Sequence, residues 1–192
     1  MDENLNLAII IGSIREGRLG AAIGEWFADR AKADGRFQVD LIDLRESGLP
    51  DRLVETEEQI PACVTDLGER LRAADAYVMV TPEYNHSYPA SLKNAIDWYF
   101  DEWQAKPVGF VSYGGISAGL RAVEALRLVM PELHATTVRD VVCFPNVWEH
   151  MDESGALAQN ERSDEAASKL LSQVEWWAAA LKRQREAALY AA

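Results

Sequence analysis

The chain predicts an α/β fold, a parallel β-sheet covered by helices on both faces. Two observations carry that reading. Five short apolar runs rich in β-branched residues recur along the chain, at 5–11, 37–44, 75–81, 107–113 and 136–144. The segments between them have helical periodicity. Strand-helix alternation of this kind needs crossover connections, and crossovers make strands parallel.

The elements follow in order. LNLAIII (5–11) runs through a glycine-serine turn, GSIREGR (12–18), into a helical segment. FQVDLIDL (37–44) alternates, Val39 and Leu41 against Asp40 and Asp43, as an edge strand does. DAYVMVT (75–81) leads into TPEYNHSYPASLKNAIDW (81–98), where Ser87 and Pro89 suit a helix start. Leu92, Ala95, Ile96, Tyr99 and Trp103 then fall on one helical face. PVGFVSY (107–113) opens on the glycine-rich turn SYGGISAG (112–119), and TTVRDVVCF (136–144) is the fifth run. In the last helix Ala167, Leu170, Leu171, Val174, Ala178 and Leu181 form one apolar stripe. Ser163 is placed to cap it, with Asp164 and Glu165 in its first turn, where the helix dipole favours acids. Stretches 47–60 and 145–162 read as loops, and the acidic ETEEQ (55–59) as a solvated face. Neither loop has the character of an interdomain linker, so one domain over 1–192 is expected.

Composition narrows the function. At 48% hydrophobic and 26% charged residues the chain is globular, and its net charge of −12 argues against a nucleic-acid partner. Cys63 and Cys143 show neither CxxC nor metal-ligand spacing and read as reduced, structural thiols. His134 and His150 lack metal-ligating company and read as structural. The start MDENLNLAII is acidic before its apolar stretch, the reverse of a secretory signal. No apolar run approaches the ~20 residues that span a bilayer. A soluble cytoplasmic protein with no membrane partner is expected.

Two arginines in the first loop of so acidic a chain call for a reason. Beyond the carboxyl end of a parallel strand, a helix start presents unpaired N–H groups that hold anions. Gly12 permits the tight turn, Ser13 offers a hydroxyl, and Arg15 and Arg18 offer charge. Charge-assisted hydrogen bonds contribute about 1.5–3 kcal/mol each, while the global negative field is screened beyond ~8 Å. The other reading is a surface turn whose arginines meet nearby carboxylates. A Walker A loop is excluded, since Arg18 and Leu19 stand where lysine and a hydroxyl are needed. The dinucleotide fingerprint is excluded too, because Ser13 and Ile14 follow Gly12 with no second glycine.

GSIREGR (12–18), PEYNHSYPASLKNAIDW (82–98) and SYGGISAG (112–119), in that order after strands one, three and four, resemble the NADPH-dependent FMN reductase family. That family includes quinone, chromate and azo-dye reductases. The resemblance implies a flavodoxin-like three-layer α/β/α sandwich with strand order 2-1-3-4-5. It implies bound FMN as cofactor, NADPH or NADH as cosubstrate, and a small-molecule electron acceptor: quinone, flavin, azo compound or metal oxyanion. Ser13, Arg15 and Arg18 correspond to phosphate ligands, and Gly20 stands where many relatives contribute an asparagine side chain. Pro82, Glu83, Tyr84 and Asn85 correspond to the loop gripping the isoalloxazine and ribityl groups. Ser112, Gly114 and Gly115 correspond to a third wall. The family forms homodimers and homotetramers, for which the off-face Trp98 and Phe100, and one of Trp176 and Trp177, are candidate contacts.

No catalytic side chain and no metal are expected, because a flavin performs hydride chemistry and the protein positions it. His86 then reads as a packing or partner-facing residue rather than a proton donor. Glu83 has two readings, an electrostatic neighbour of the flavin or a hydrogen-bond partner shaping its loop. The rival class is a flavodoxin-type electron carrier, and the threonine-serine-rich first loop typical of carriers is missing here.

Overall fold

The structure is a computed structural model describing residues 4–54, 56 and 60–191. Five parallel strands, β1 (Leu5–Ile11), β2 (Phe37–Asp43), β3 (Ala76–Pro82), β4 (Pro107–Tyr113) and β5 (Thr136–Phe144), lie in the order 2-1-3-4-5. This is the expected three-layer architecture, and β2 is an edge strand as its alternation predicts. The central β3 and β4 are buried at every residue, which is why they read as unbroken apolar runs.

Helices α1 (Gly20–Asp34) and α5 (Glu161–Ala187) cover one face of the sheet. Ile23, Trp26 and Phe27 of α1 and Leu170, Leu171 and Val174 of α5 fill that core layer. Helices α2 (Ala62–Ala73), α3 (Ala90–Asp97) and α4 (Leu120–Val129) cover the other. The expected stripe of α3 is buried as a unit, although Tyr99 and Trp103 lie beyond the helix end. One capping expectation fails. Asn160, not Ser163, caps α5, its side chain accepting from the Arg162 N–H at 3.0 Å. Asparagine is as good a cap as serine and comes first, so Ser163 already lies inside the helix.

The amino edge of the sheet is locked by charge. Buried Asp75 accepts from the Asn6 N–H, Lys182 and Arg185, joining β1 to α5. Lys106 donates to the carbonyls of Leu71 and Arg72 at the end of α2, and burial pushes its pKa down to about 7. The carboxyl edge, where the three motif loops emerge, is the free one. The acidic stretch 55–59 lies outside the described residues except Thr56.

Candidate active site

The loop after β1 is tied to β3 through the Gly12 N–H on the Val80 carbonyl, and Ser91 donates to the Gly12 carbonyl. A Cβ on Gly12 would sit 3.2 Å from the Leu92 side chain and 3.3 Å from the Val80 carbonyl oxygen, so the turn needs glycine here for close approach. Ser13 is fully buried, and its hydroxyl lies 2.6 Å from the Tyr84 hydroxyl of the third loop.

The two arginines part company. Arg18, its side chain 8% exposed, forms a bidentate pair with Asp43 at the end of β2 and donates to the Ser13 carbonyl at 2.5 Å. It braces the loop against the neighbouring strand. Arg15 is exposed and makes no ion pair among the described residues.

Helix α1 starts at Gly20 with no side-chain cap from Leu19 and no acid in its first turn. Its leading N–H groups are therefore orphan donors. Gly20 lies under Tyr113, the last residue of β4, and a Cβ there would stand 2.4 Å from the tyrosine oxygen. The absence of a side chain at position 20 is thus the space that Tyr113 fills. Tyr113 is 5% exposed and its hydroxyl, aimed into this corner, has no hydrogen-bond partner among the described residues. Burial raises its pKa above the ordinary tyrosine value. Sequence reasoning passed over Tyr113 as a strand residue. A phenol at the last position of a strand feeding a motif loop was the available signal.

The loop after β3 is a two-residue hairpin. Tyr84 and Ser87 exchange N–H···O bonds of 2.8 and 3.1 Å, and the intervening Asn85 and His86 both have positive φ, 49° and 73°. That is the geometry of a type I′ turn, which glycine adopts without the strain that a Cβ brings. Both are exposed. His86→Gly should therefore stabilise the fold by about 0.5–1 kcal/mol, seen as a higher urea midpoint at constant m. A lower midpoint would show that the imidazole makes a contact outweighing its strain.

Glu83 spends its side chain on the fourth strand's loop. The carboxylate accepts from the Ser117 hydroxyl at 2.7 Å and from the Arg121 N–H and guanidinium at 3.2 and 2.7 Å. Burial alone would raise its pKa, but these bonds outweigh it and leave the carboxyl below the ordinary glutamate value. The carboxylate therefore makes the contacts that the loop-shaping reading requires.

Near the end of β4, Ser112 is buried and donates to the Ala118 carbonyl of the following loop, so its side chain closes the turn from inside. Gly114 and Gly115 lie half-buried at the rim, with backbone groups of residues 144–147 hydrogen-bonded along them. Pro82 is buried at the end of β3. The structure thus brings Ser13, Gly20, Tyr84 and Tyr113 together, sets Arg15 and Asn85 at the open side, and turns the side chains of Arg18, Glu83 and Ser112 to bracing.

Unclaimed helix amides, an orphan phenol and a free guanidinium suit a phosphate monoester. No group of three metal-ligating side chains occurs among the described residues. Residues 5–149 match the family described as NADPH-dependent FMN reductase. The chain belongs to that family. The family's activity, NAD(P)H oxidation with FMN, makes it an oxidoreductase as the three motifs implied.

An NAD(P)H-dependent FMN reductase of Schizosaccharomyces pombe is 37% identical over 123 residues, 59% of this chain and 60% of that protein. A quinone reductase of Escherichia coli K12 is 36% identical over 140 residues, 70% of this chain and 74% of that protein. Among solved structures, the flavoenzyme NAD(P)H:(acceptor) oxidoreductase of Paracoccus denitrificans superposes with a TM-score of 0.68 at 24% identity, covering 93% of this chain and 98% of that one. That likeness speaks for the fold. No helix among the described residues is long and apolar enough to cross a membrane.

Proposed function

We propose that this family member binds FMN at the carboxyl edge of its sheet and passes electrons from NAD(P)H to a small-molecule acceptor in a ping-pong cycle. The observation that supports the location is the corner between β1 and α1, where uncapped helix amides and the unpartnered Tyr113 hydroxyl face one another beside Ser13. FMN, when bound, supplies the hydride-accepting and electron-donating chemistry.

The residues divide their work accordingly. The amides of α1 and the guanidinium of Arg15 hold the phosphate, and Arg18 holds the loop in the shape that presents them. Tyr84 and Asn85, on a turn with fixed hydrogen bonds, bound the ring and ribityl chain. Gly114 and Gly115 let the ring approach the backbone. Glu83 and Ser112 keep those two loops in register. The nicotinamide and then the acceptor use the remaining open face, so each must leave before the other binds. The names of the quinone-reducing relatives favour a quinone-type acceptor. A homodimer or homotetramer is proposed, with exposed Phe100, Trp176 and Trp177 as its candidate contacts. Trp98 is instead pinned within the chain, donating to the Pro50 carbonyl at 3.0 Å.

Two measurements test this. The visible spectrum of protein reconstituted with FMN should show retained flavin, and stopped-flow mixing with NADPH should bleach it rapidly. Flavin that stays oxidised would identify an electron carrier instead. Arg15→Ala should weaken FMN binding about tenfold to a hundredfold, the loss of one charge-assisted hydrogen bond. Titrated by flavin fluorescence, an unchanged Kd would remove Arg15 from the phosphate site.

A further inference from the structure

The segment following β5 is pinned to the glycine turn of the fourth strand. The Gly114 N–H donates to the Phe144 carbonyl at 3.2 Å. In return the Asn146 and Val147 N–H groups donate to the carbonyls of Gly115 and Gly114, both at 3.0 Å. Asn146, with φ 44°, turns the chain so that a single 3-10 turn, Val147–His150, stands beside the glycines. Its neighbours are absorbed by the fold. Val147 is buried, His150 contacts the Pro145 carbonyl and the Phe144 ring, and Met151 bridges to Leu157.

Trp148 is not absorbed. It is 60% exposed, yet its ring carbon Cη2 lies 3.8 Å from where a Cβ on Gly115 would be. The indole therefore lies against Gly115 while most of its surface faces solvent. In the same loop Ile116, and Leu120 at the start of α4, are also exposed, at 91% and 43%. The loop after β4 and the turn after β5 thus present exposed apolar side chains beside Gly115, one of them an aromatic plane. Exposed apolar surface beside a site marks a ligand that is itself apolar.

We propose that Trp148 is the specificity-determining residue on which a flat, uncharged aromatic acceptor of the quinone class stacks before reduction. This rests on the placement of FMN against Gly114 and Gly115 proposed above. It goes beyond it by naming the side chain that selects the acceptor. A small oxyanion gains nothing from an indole face. A neutral ring gains aromatic contact and buries the exposed indole.

The test uses FMN-reconstituted protein, wild type, Trp148→Ala and Trp148→Phe. Equilibrium dialysis with 1,4-dimethoxynaphthalene, a neutral ring that cannot accept the electrons, reads stacking without turnover. Its Kd should rise about tenfold in Trp148→Ala and return most of the way in Trp148→Phe. In turnover, the ratio of kcat/KM for menadione to kcat/KM for ferricyanide should fall by a similar factor in Trp148→Ala. A purely structural tryptophan would leave that ratio unmoved.

Flavin retained with an unchanged naphthalene Kd overturns the role of Trp148 alone. A change of oligomeric mass by light scattering in Trp148→Ala, with the acceptor ratio unmoved, also overturns it and makes the residue a subunit contact. Wild-type protein that takes up no FMN overturns the site placement and this proposal together.

Discussion

Asp43→Ala is expected to cost about 3 kcal/mol of folding stability in the FMN-free protein, at the low end for breaking a buried ion pair. The reason lies in the partner rather than in the carboxylate. Arg18's side chain is only 8% exposed, whereas that of Asp43 is 23% exposed. Removing the acid leaves a guanidinium buried with the Ser13 carbonyl as its remaining acceptor. The Arg45 N–H loses its bond to the same carboxylate. Some relief comes from the partly open position, which places the loss nearer 3 than 5 kcal/mol. Urea unfolding measures it. Asp43→Asn, which keeps an acceptor oxygen for Arg18, should recover part of the loss. In a double-mutant cycle, Arg18→Ala with Asp43→Ala should lose clearly less than the two single losses together. A loss below about 1 kcal/mol for Asp43→Ala would mean the pair behaves as an exposed one. FMN affinity should fall in the same variant, because the loop that presents Ser13 and the α1 amides is no longer fastened to β2.

That brace shows what can and cannot be read along a chain. The five strands are legible because a strand buried on both faces must be apolar throughout, as β3 and β4 are, and because an edge strand alternates. Asp43 alternates like a solvated edge residue, so its use as the counter-ion of Arg18 leaves no local trace. Their contact spans 25 positions and exists only once β1 and β2 are in register. For the same reason two arginines three residues apart look equivalent in the sequence, although one is buried in a pair and the other is free. The three motif loops were identifiable because each carries backbone requirements that restrict residue type. What escaped was the filling of the space between them. Tyr113 occupies the room left by Gly20, and neither residue alone signals the other. Asn160 takes the cap from Ser163 because the helix begins at Glu161, about one turn before the start that a Ser163 cap would give.

The glycines of SYGGISAG make the final distinction testable, since Gly114, Gly115 and Gly119 look alike in the sequence. Gly119 has φ 80°, and a Cβ there would lie 2.8 Å from both the backbone nitrogen and the carbonyl oxygen of Tyr113. Neither atom can yield without moving β4 itself. Gly119→Ala should therefore cost about 3 kcal/mol or more, adding backbone strain to a steric overlap that no rotamer change relieves. The damage should reach the site as well, because α4 begins immediately after this residue and holds the Arg121 that braces Glu83. FMN binding should weaken along with stability. Gly115→Ala meets only the Trp148 ring at 3.8 Å, ordinary contact, and its φ is not in the left-handed region. That variant should change the unfolding midpoint by about 0.5 kcal/mol or less. If both substitutions proved equally mild in urea titration, the turn would be adaptable, and the picture of Gly119 as the fixed hinge of the third wall would have to be given up.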